Sequence, residues 1–281
     1  MFPYFILLRR TRDRFEQLME WESMAVMLVI SPAKRMDMVE GPPFAQTRPA
    51  FLADAQSLAR ELRSLGYEGA RSVWQCSDAL AQTNWERLAT MPEDMAREPR
   101  LLSPAVLTYV GIQYQHLAPQ VMNEKELMWL SSHLRILSGM YGILRPLDGV
   151  IPYRLEMQAK LTVGGCRDLY EFWGGRLLDS LLGDGADVIV NVASQEYAKA
   201  VVPWVRRADI PVVTCVFGEV RSSDGCVVQR ATEAKAARGA FVRWCAEQGV
   251  EKVEQLEGFS ERGYRLNRSR SDAETLTFVR G

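Results

Sequence analysis

A chain of 281 residues is long enough for one or two domains and a substantial core, which excludes a disulfide-stapled miniprotein. Its 47% hydrophobic and 25% charged residues, free of any biased tract, exclude disorder over most of the length. The 34 basic and 35 acidic side chains leave a formal charge of −1, so the molecule lacks the global positive field of a dedicated nucleic-acid binder and any anion site must be local.

Residues 1–26 read apart from the rest. Residues 2–8 are apolar but few, and Arg9, Arg10, Arg12 and Arg14 follow them, the reverse of the charge-then-apolar order of a secretory signal. The run is also too short to span a membrane. Residues 14–22 are expected as a short polar helix, and the folded domain is expected to begin near Met27, with 1–26 an N-terminal extension and 27–281 the domain proper. Strands are expected at 27–30, 134–137, 188–192, 212–217, 227–229 and 276–279, each short, β-branched and bounded by turn residues. Helices are expected at 50–65, 73–88, 123–131, 167–182 and 231–248, the last closed by Gly249. One strand, a long helical stretch, then interleaved strands and helices predict a single compact α/β domain, mixed α+β, with a mixed sheet, flanking helices and no clean linker.

Five cysteines stand singly, with no C-x-x-C pair, and read as reduced, mostly buried thiols. Only His116 and His133 are present, which starves any His-rich metal centre or His-based triad. Ser31-Pro32-Ala33-Lys34 follows the first strand, at the carboxyl end where open α/β sheets place ligands, so Ser31 and Lys34 are candidates to hold an anion; a Pro-stopped strand with a solvated lysine is the plainer alternative. The densest constellation runs over residues 138–157. Gly139 and Gly142 in it allow close backbone approach, and Arg145, Asp148, Arg154 and Glu156 supply two guanidinium forks and two carboxylates. That is either a preorganised polar site, with Glu156 or Asp148 as acid/base candidates, or a network pinning a long loop. Asn191 and Ser194, with Glu196-Tyr197, end another strand, and Lys235 and Arg238 share a helix face at spacing i, i+3. Arg262, Arg265, Arg268 and Arg270 around Tyr264 could track a phosphate backbone, or form a solvated loop offset by Glu261, Asp272 and Glu274.

Taken in order, the first strand with Ser31-Pro32-Ala33-Lys34, the block from Leu137-Ser138-Gly139 to Met157, Asp168-Leu169-Tyr170 with Phe172-Trp173-Gly174, residues 191–197, Ala237-Arg238-Gly239, Gly258-Phe259 and Gly263-Tyr264 resemble the YaaA family of bacterial peroxide-stress proteins. The similarity covers about residues 27–279. It implies a cytoplasmic protein of the oxidative stress response that limits free iron, a single α/β domain with a positively charged cleft and a helix-hairpin-helix element, and binding of duplex DNA. The resemblance places the hairpin at Ala81, Gln82, Thr83 and Asn84. Gln82 stands where a tight phosphate-gripping turn calls for glycine, and a left-handed Gln82 would cost about 1–2 kcal/mol. An ordinary helix capped by Ser77 is the alternative. Val110 and Ile112 around Gly111, and Ala236, also depart from the family's more charged pattern.

Two functions compete. In the first, Ser31, Lys34, Arg145, Arg154, Asn191, Ser194, Lys235 and Arg238 bind duplex DNA, straight, bent or nicked, through a local basic cleft with steep salt dependence. In the second, an enzyme acts on a nucleotide- or nucleobase-type substrate in a pocket running from Arg145 to Glu156. No cofactor, metal site, membrane contact or obligate protein partner is expected.

Overall fold

The strand Val26–Ile30 (β1) is apolar and buried at every position, as a strand covered on both faces must be. It lies at the centre of a computed structural model that describes residues 25–39, 41 and 44–281. The expected helix at 14–22, and all but the last two residues of the expected extension, lie outside the described residues. Among the described residues the further strands are, in chain order, β2 (Arg35–Met36), β3 (Ser103–Pro104), β4 (Tyr109–Val110), β5 (Leu134–Ser138), β6 (Gly142–Leu144), β7 (Gly149–Val150), β8 (Val188–Asn191), β9 (Val212–Val220), β10 (Val227–Val228), β11 (Tyr264–Leu266) and β12 (Thr275–Arg280).

Eight of them form one mixed sheet in the order β11-β12-β9-β8-β1-β5-β6, with β10 on β9. Strands β12, β9, β8, β1 and β5 run parallel, while β6, β10 and β11 are antiparallel additions. Ranked along the chain, the parallel strands β5-β1-β8-β9-β12 follow the order 2-1-3-4-5 of a doubly wound sheet. The winding reverses between β1 and β8, and the loops leaving their carboxyl ends diverge there to open a crevice. The mixed α/β domain expected from the sequence is thus present: the six expected strands are β1, β5, β8, β9, β10 and β12, whereas β2, β3, β4, β6, β7 and β11, two or three residues each, were not expected.

The helices differ in their breaks. The helix expected at 167–182 is two, Leu169–Trp173 and Arg176–Gly183, because Gly174 takes φ 52°, ψ −139°, a conformation suited to glycine. The helix expected at 73–88 is likewise divided into Gly66–Trp74 and Asp78–Thr90, with Gln75 left-handed at φ 45°. This corrects the hairpin: Ala81, Gln82, Thr83 and Asn84 sit inside Asp78–Thr90, not in a turn. Their side chains bond within that helix, Gln82 Nε2 to Glu86 Oε1 (2.8 Å), Thr83 Oγ1 to Ala79 O (3.0 Å) and Asn84 Nδ2 to Leu80 O (2.6 Å). Ser77 stands at the N-cap position without a side-chain capping bond. Elsewhere the end signals hold. Asn123 and Glu126 form a capping box for Glu124–His133, and Gly249 closes Ala231–Gln248 at φ 60°.

Candidate functional site: a basic cleft at the switch point

Two loops meet at the reversal of winding. Ser31, directly after β1, is 8% exposed; its Oγ accepts from Ser194 N (2.9 Å) and donates to Ser194 Oγ (3.1 Å), latching the loop after β1 to the loop after β8. The Ser31 carbonyl accepts from Gln113 Nε2 and Tyr114 OH, each at 3.0 Å, so a third segment, helix Ile112–Leu117, joins the same corner. That helix reaches it because Gly239 has no side chain: a Cβ there would stand 1.9 Å from the Gln113 carbonyl oxygen.

Together these segments line a cleft of about 370 Å³ with residues 153–156, Glu196, Tyr197, Lys235 and Arg238. Glu156 is clamped between two cations, Lys34 Nζ at 2.7 Å and Arg154 Nη2 at 2.9 Å. The Lys34 side chain is 62% exposed and that of Arg154 only 10%, so one charge stands at the mouth and the other lies inside. Arg154 Nε and Arg238 Nε are both buried without a hydrogen-bond partner. Burial pushes the Arg238 guanidinium below its ordinary value, and its one side-chain contact, Nη2 to Gln229 Oε1, is long at 3.4 Å. Lys235 is exposed one turn earlier on the same helix.

Glu196 accepts a long bond from Gln158 N (3.3 Å); burial, assisted by the nearby Glu156, pushes its carboxyl above the ordinary range. Glu156 and Glu196 thus differ in surroundings, one set between two cations and the other buried beside a like charge. The tyrosines are donors rather than bases. Burial pushes Tyr153 up to about 12, with its hydroxyl bonded to Ser138 Oγ (2.6 Å) and Tyr109 OH (2.8 Å), and raises Tyr114 and Tyr197 well above the ordinary value.

The structure brings together Ser31, Lys34, Arg154, Glu156, Ser194, Lys235 and Arg238, all expected from the sequence. It separates the other three. Asn191, 4% exposed, accepts from Ala193 N (3.1 Å) and donates to Thr214 Oγ1 (3.4 Å), shaping the turn after β8. Arg145 and Asp148 lie in a different cavity, beside β6. The single pocket expected from Arg145 to Glu156 is therefore two, because β7 pairs with β3 and anchors the chain between its two charged halves. Asp148 is 1% exposed, with Oδ1 accepting from Thr47 Oγ1 (2.6 Å) and Oδ2 from Arg145 N (2.8 Å); it pins the loop. Gln113 and Tyr114 carry no sequence signal of their own, whereas Glu196, expected with Ser194 at the carboxyl end of a strand, does line the cleft.

The carboxyl-terminal arginines are largely engaged locally: Arg262 with Glu233 (3.4 Å), Arg268 with Glu257 (2.6 Å) and Arg270 with Gly225 O (2.5 Å). All five cysteines are free thiols, but only Cys215 and Cys245 are buried; Cys76 and Cys166 are half-buried and Cys226 is exposed. Among the described residues no group of three His, Cys, Asp or Glu side chains stands together as a metal site, and no helix is long and apolar enough to cross a membrane.

Residues 26–270 match a family described as peroxide stress protein YaaA. A UPF0246 protein of Pediococcus pentosaceus is 42% identical over 253 residues, 90% of this chain and 97% of its own length. One from Lachnoclostridium phytofermentans is 42% identical over 255 residues, covering 90% and 96%. A third, from Desulfitobacterium hafniense, is 43% identical over 253 residues, covering 90% and 97%. With nearly the whole described fold inside the match, the chain belongs to the peroxide stress protein YaaA family.

Proposed function

We propose that the protein acts in the peroxide stress response by binding duplex DNA, whose backbone phosphates enter the cleft between β1 and β8. The observation that carries this reading is the unmatched positive charge there. Lys34, Arg154, Lys235 and Arg238 face two carboxylates, Glu156 and Glu196, while Arg35 is paired with Asp37, and two buried guanidinium N–H groups have no acceptor. A phosphate oxygen supplies the missing acceptor and cancels the excess charge. Ser31 and Ser194 add hydroxyls at the same point. Occupying the DNA in this way shields it from radicals made by iron and peroxide, which requires no metal site in the protein.

The test is a salt titration with a labelled duplex. Binding is expected at low salt, with log K falling against log salt by about 0.9 for each phosphate neutralised. The double variant Lys34→Gln/Lys235→Gln is expected to flatten that slope by about 2, because each lysine acts as a separate neutraliser. No binding at low salt, or an unchanged slope in the variant, refutes the assignment.

A second reading, an enzyme acting on a nucleotide- or nucleobase-type substrate, is favoured by one feature: Glu196, its carboxyl raised by burial, lies in the cleft near Glu156, which Lys34 and Arg154 hold. Glu196→Gln separates the two. A binder loses a repelling charge, so its affinity for DNA at neutral pH rises. Wild-type affinity then climbs as pH falls through the raised Glu196 value, while the variant stays flat across that window. An enzyme instead loses turnover with its fold intact.

A further inference from the structure

We propose that the cavity beside β6 is a second anion site, separate from the cleft, that takes a phosphate group either as inorganic phosphate or as the head of a small phosphomonoester. The cavity holds about 230 Å³ and is lined by Arg48, Arg135, Arg145, Asp148, Ser180 and Asp184. It sits where β5 begins and the antiparallel β6 ends, away from the strand ends that open the cleft.

Arg135 is the key to it. Its side chain is 5% exposed, and two of its three nitrogens are spent: Nε on Asp184 Oδ2 (2.7 Å) and Nη1 on the carbonyls of Ser131 (2.9 Å) and Leu134 (2.7 Å). Among the described residues Nη2 has no partner, and Arg135 lines the cavity. An N–H pair held in place by the rest of its guanidinium and left without a protein acceptor is what a bound oxyanion satisfies.

The neighbouring charges point the same way. Both Asp184 oxygens are taken, by Arg135 and Arg145, and both Asp148 oxygens are taken, by Thr47 and the Arg145 amide. Neither carboxylate is left to answer the third guanidinium, that of the exposed Arg48, which has no ion pair among the described residues. Arg145, half-exposed and paired with Asp184, also lines the cavity. Three planar forks converging on a small volume suit a tetrahedral, doubly charged oxyanion better than a planar monocarboxylate. The volume holds a phosphate with a small substituent but not a duplex.

The experiment is a calorimetric titration of the full chain with inorganic phosphate at constant ionic strength, set by chloride, with a parallel arm using ribose 5-phosphate. Saturable binding is expected, weakened about tenfold or more by Arg48→Gln and by Arg145→Gln, and unchanged by Lys125→Gln, an exposed position that lines neither cavity. Arg48 is exposed, so its variant keeps the test decisive even where Arg145→Gln unsettles the loop. Tighter binding in one arm names the source of the phosphate. Absence of saturable binding in both arms, or binding that Lys235→Gln removes and Arg48→Gln leaves intact, overturns the proposal without touching the DNA reading.

Discussion

Gly239→Ala is expected to destabilise the protein by about 3 kcal/mol, the upper end of ordinary overpacking, and to abolish duplex binding with it. The added Cβ would meet the Gln113 backbone oxygen at 1.9 Å, its carbonyl carbon at 2.9 Å and the His116 Cβ at 3.0 Å. A flexible side-chain tip could swing aside at little cost; a backbone carbonyl in helix Ile112–Leu117 moves only with its helix. Retreat of that helix withdraws the Gln113 and Tyr114 donors from the Ser31 carbonyl and so loosens the corner on which the cleft is built. Gly183→Ala is the matched control. Its Cβ would meet nothing within 4 Å, its backbone is not left-handed, and it ends a helix, so alanine is expected to be neutral or stabilising by up to about 1 kcal/mol. Urea unfolding of both variants beside the duplex titration checks this. A Gly239→Ala protein with the wild-type midpoint would show that the two helices are not held in contact.

Much of this arrangement is legible in the chain, and the parts that are not share a cause. Buried parallel strands read as unbroken apolar runs, so β1, β8 and the start of β9 stand out, and Ser31 and Ser194 follow because ligand loops leave the carboxyl ends of such strands. Gly239 shows only as a glycine in a helix, a local cost in propensity. Its purpose depends on Gln113, far away in sequence, and no local pattern reports a contact of that range. Hence Gln113 and Tyr114 stay invisible.

Proximity in sequence misled in the opposite direction. Arg145, Asp148, Arg154 and Glu156 are close along the chain and read as one constellation, yet the β3–β7 ladder sends the first pair to the β6 edge and the second into the cleft. The hairpin failed for a related reason. Residues 81–84 contain no glycine or proline to break a helix, whereas the real turn, at Gln75, uses a left-handed residue that is neither Gly nor Asn. The local rule was sound, and tertiary packing imposed the exception.

Asp184→Ala draws the line between the two charged sites. Its carboxylate holds Arg135, 5% exposed, at 2.7 Å, and Arg145 on its other oxygen. Removing it leaves the Arg135 charge buried and uncompensated, which is expected to cost about 3–5 kcal/mol at neutral pH. The pH dependence has a definite sign. Burial alone would raise the Asp184 carboxyl, but the Arg145 and Arg135 guanidiniums more than offset this and hold it below its ordinary value. A carboxyl depressed in the folded state contributes stability that is complete above its unfolded value and lost as pH falls through the folded one. The gap between wild type and Asp184→Ala should therefore be widest at neutral pH and close in acid, as read by urea unfolding at a series of pH values. At low temperature, where the variant remains folded, its duplex affinity and salt slope should match wild type, since neither Asp184 nor Arg145 lines the cleft. A folded Asp184→Ala protein that has lost DNA would place Arg145 in the DNA path, and the cleft at the β1–β8 switch point would then be only part of the binding surface.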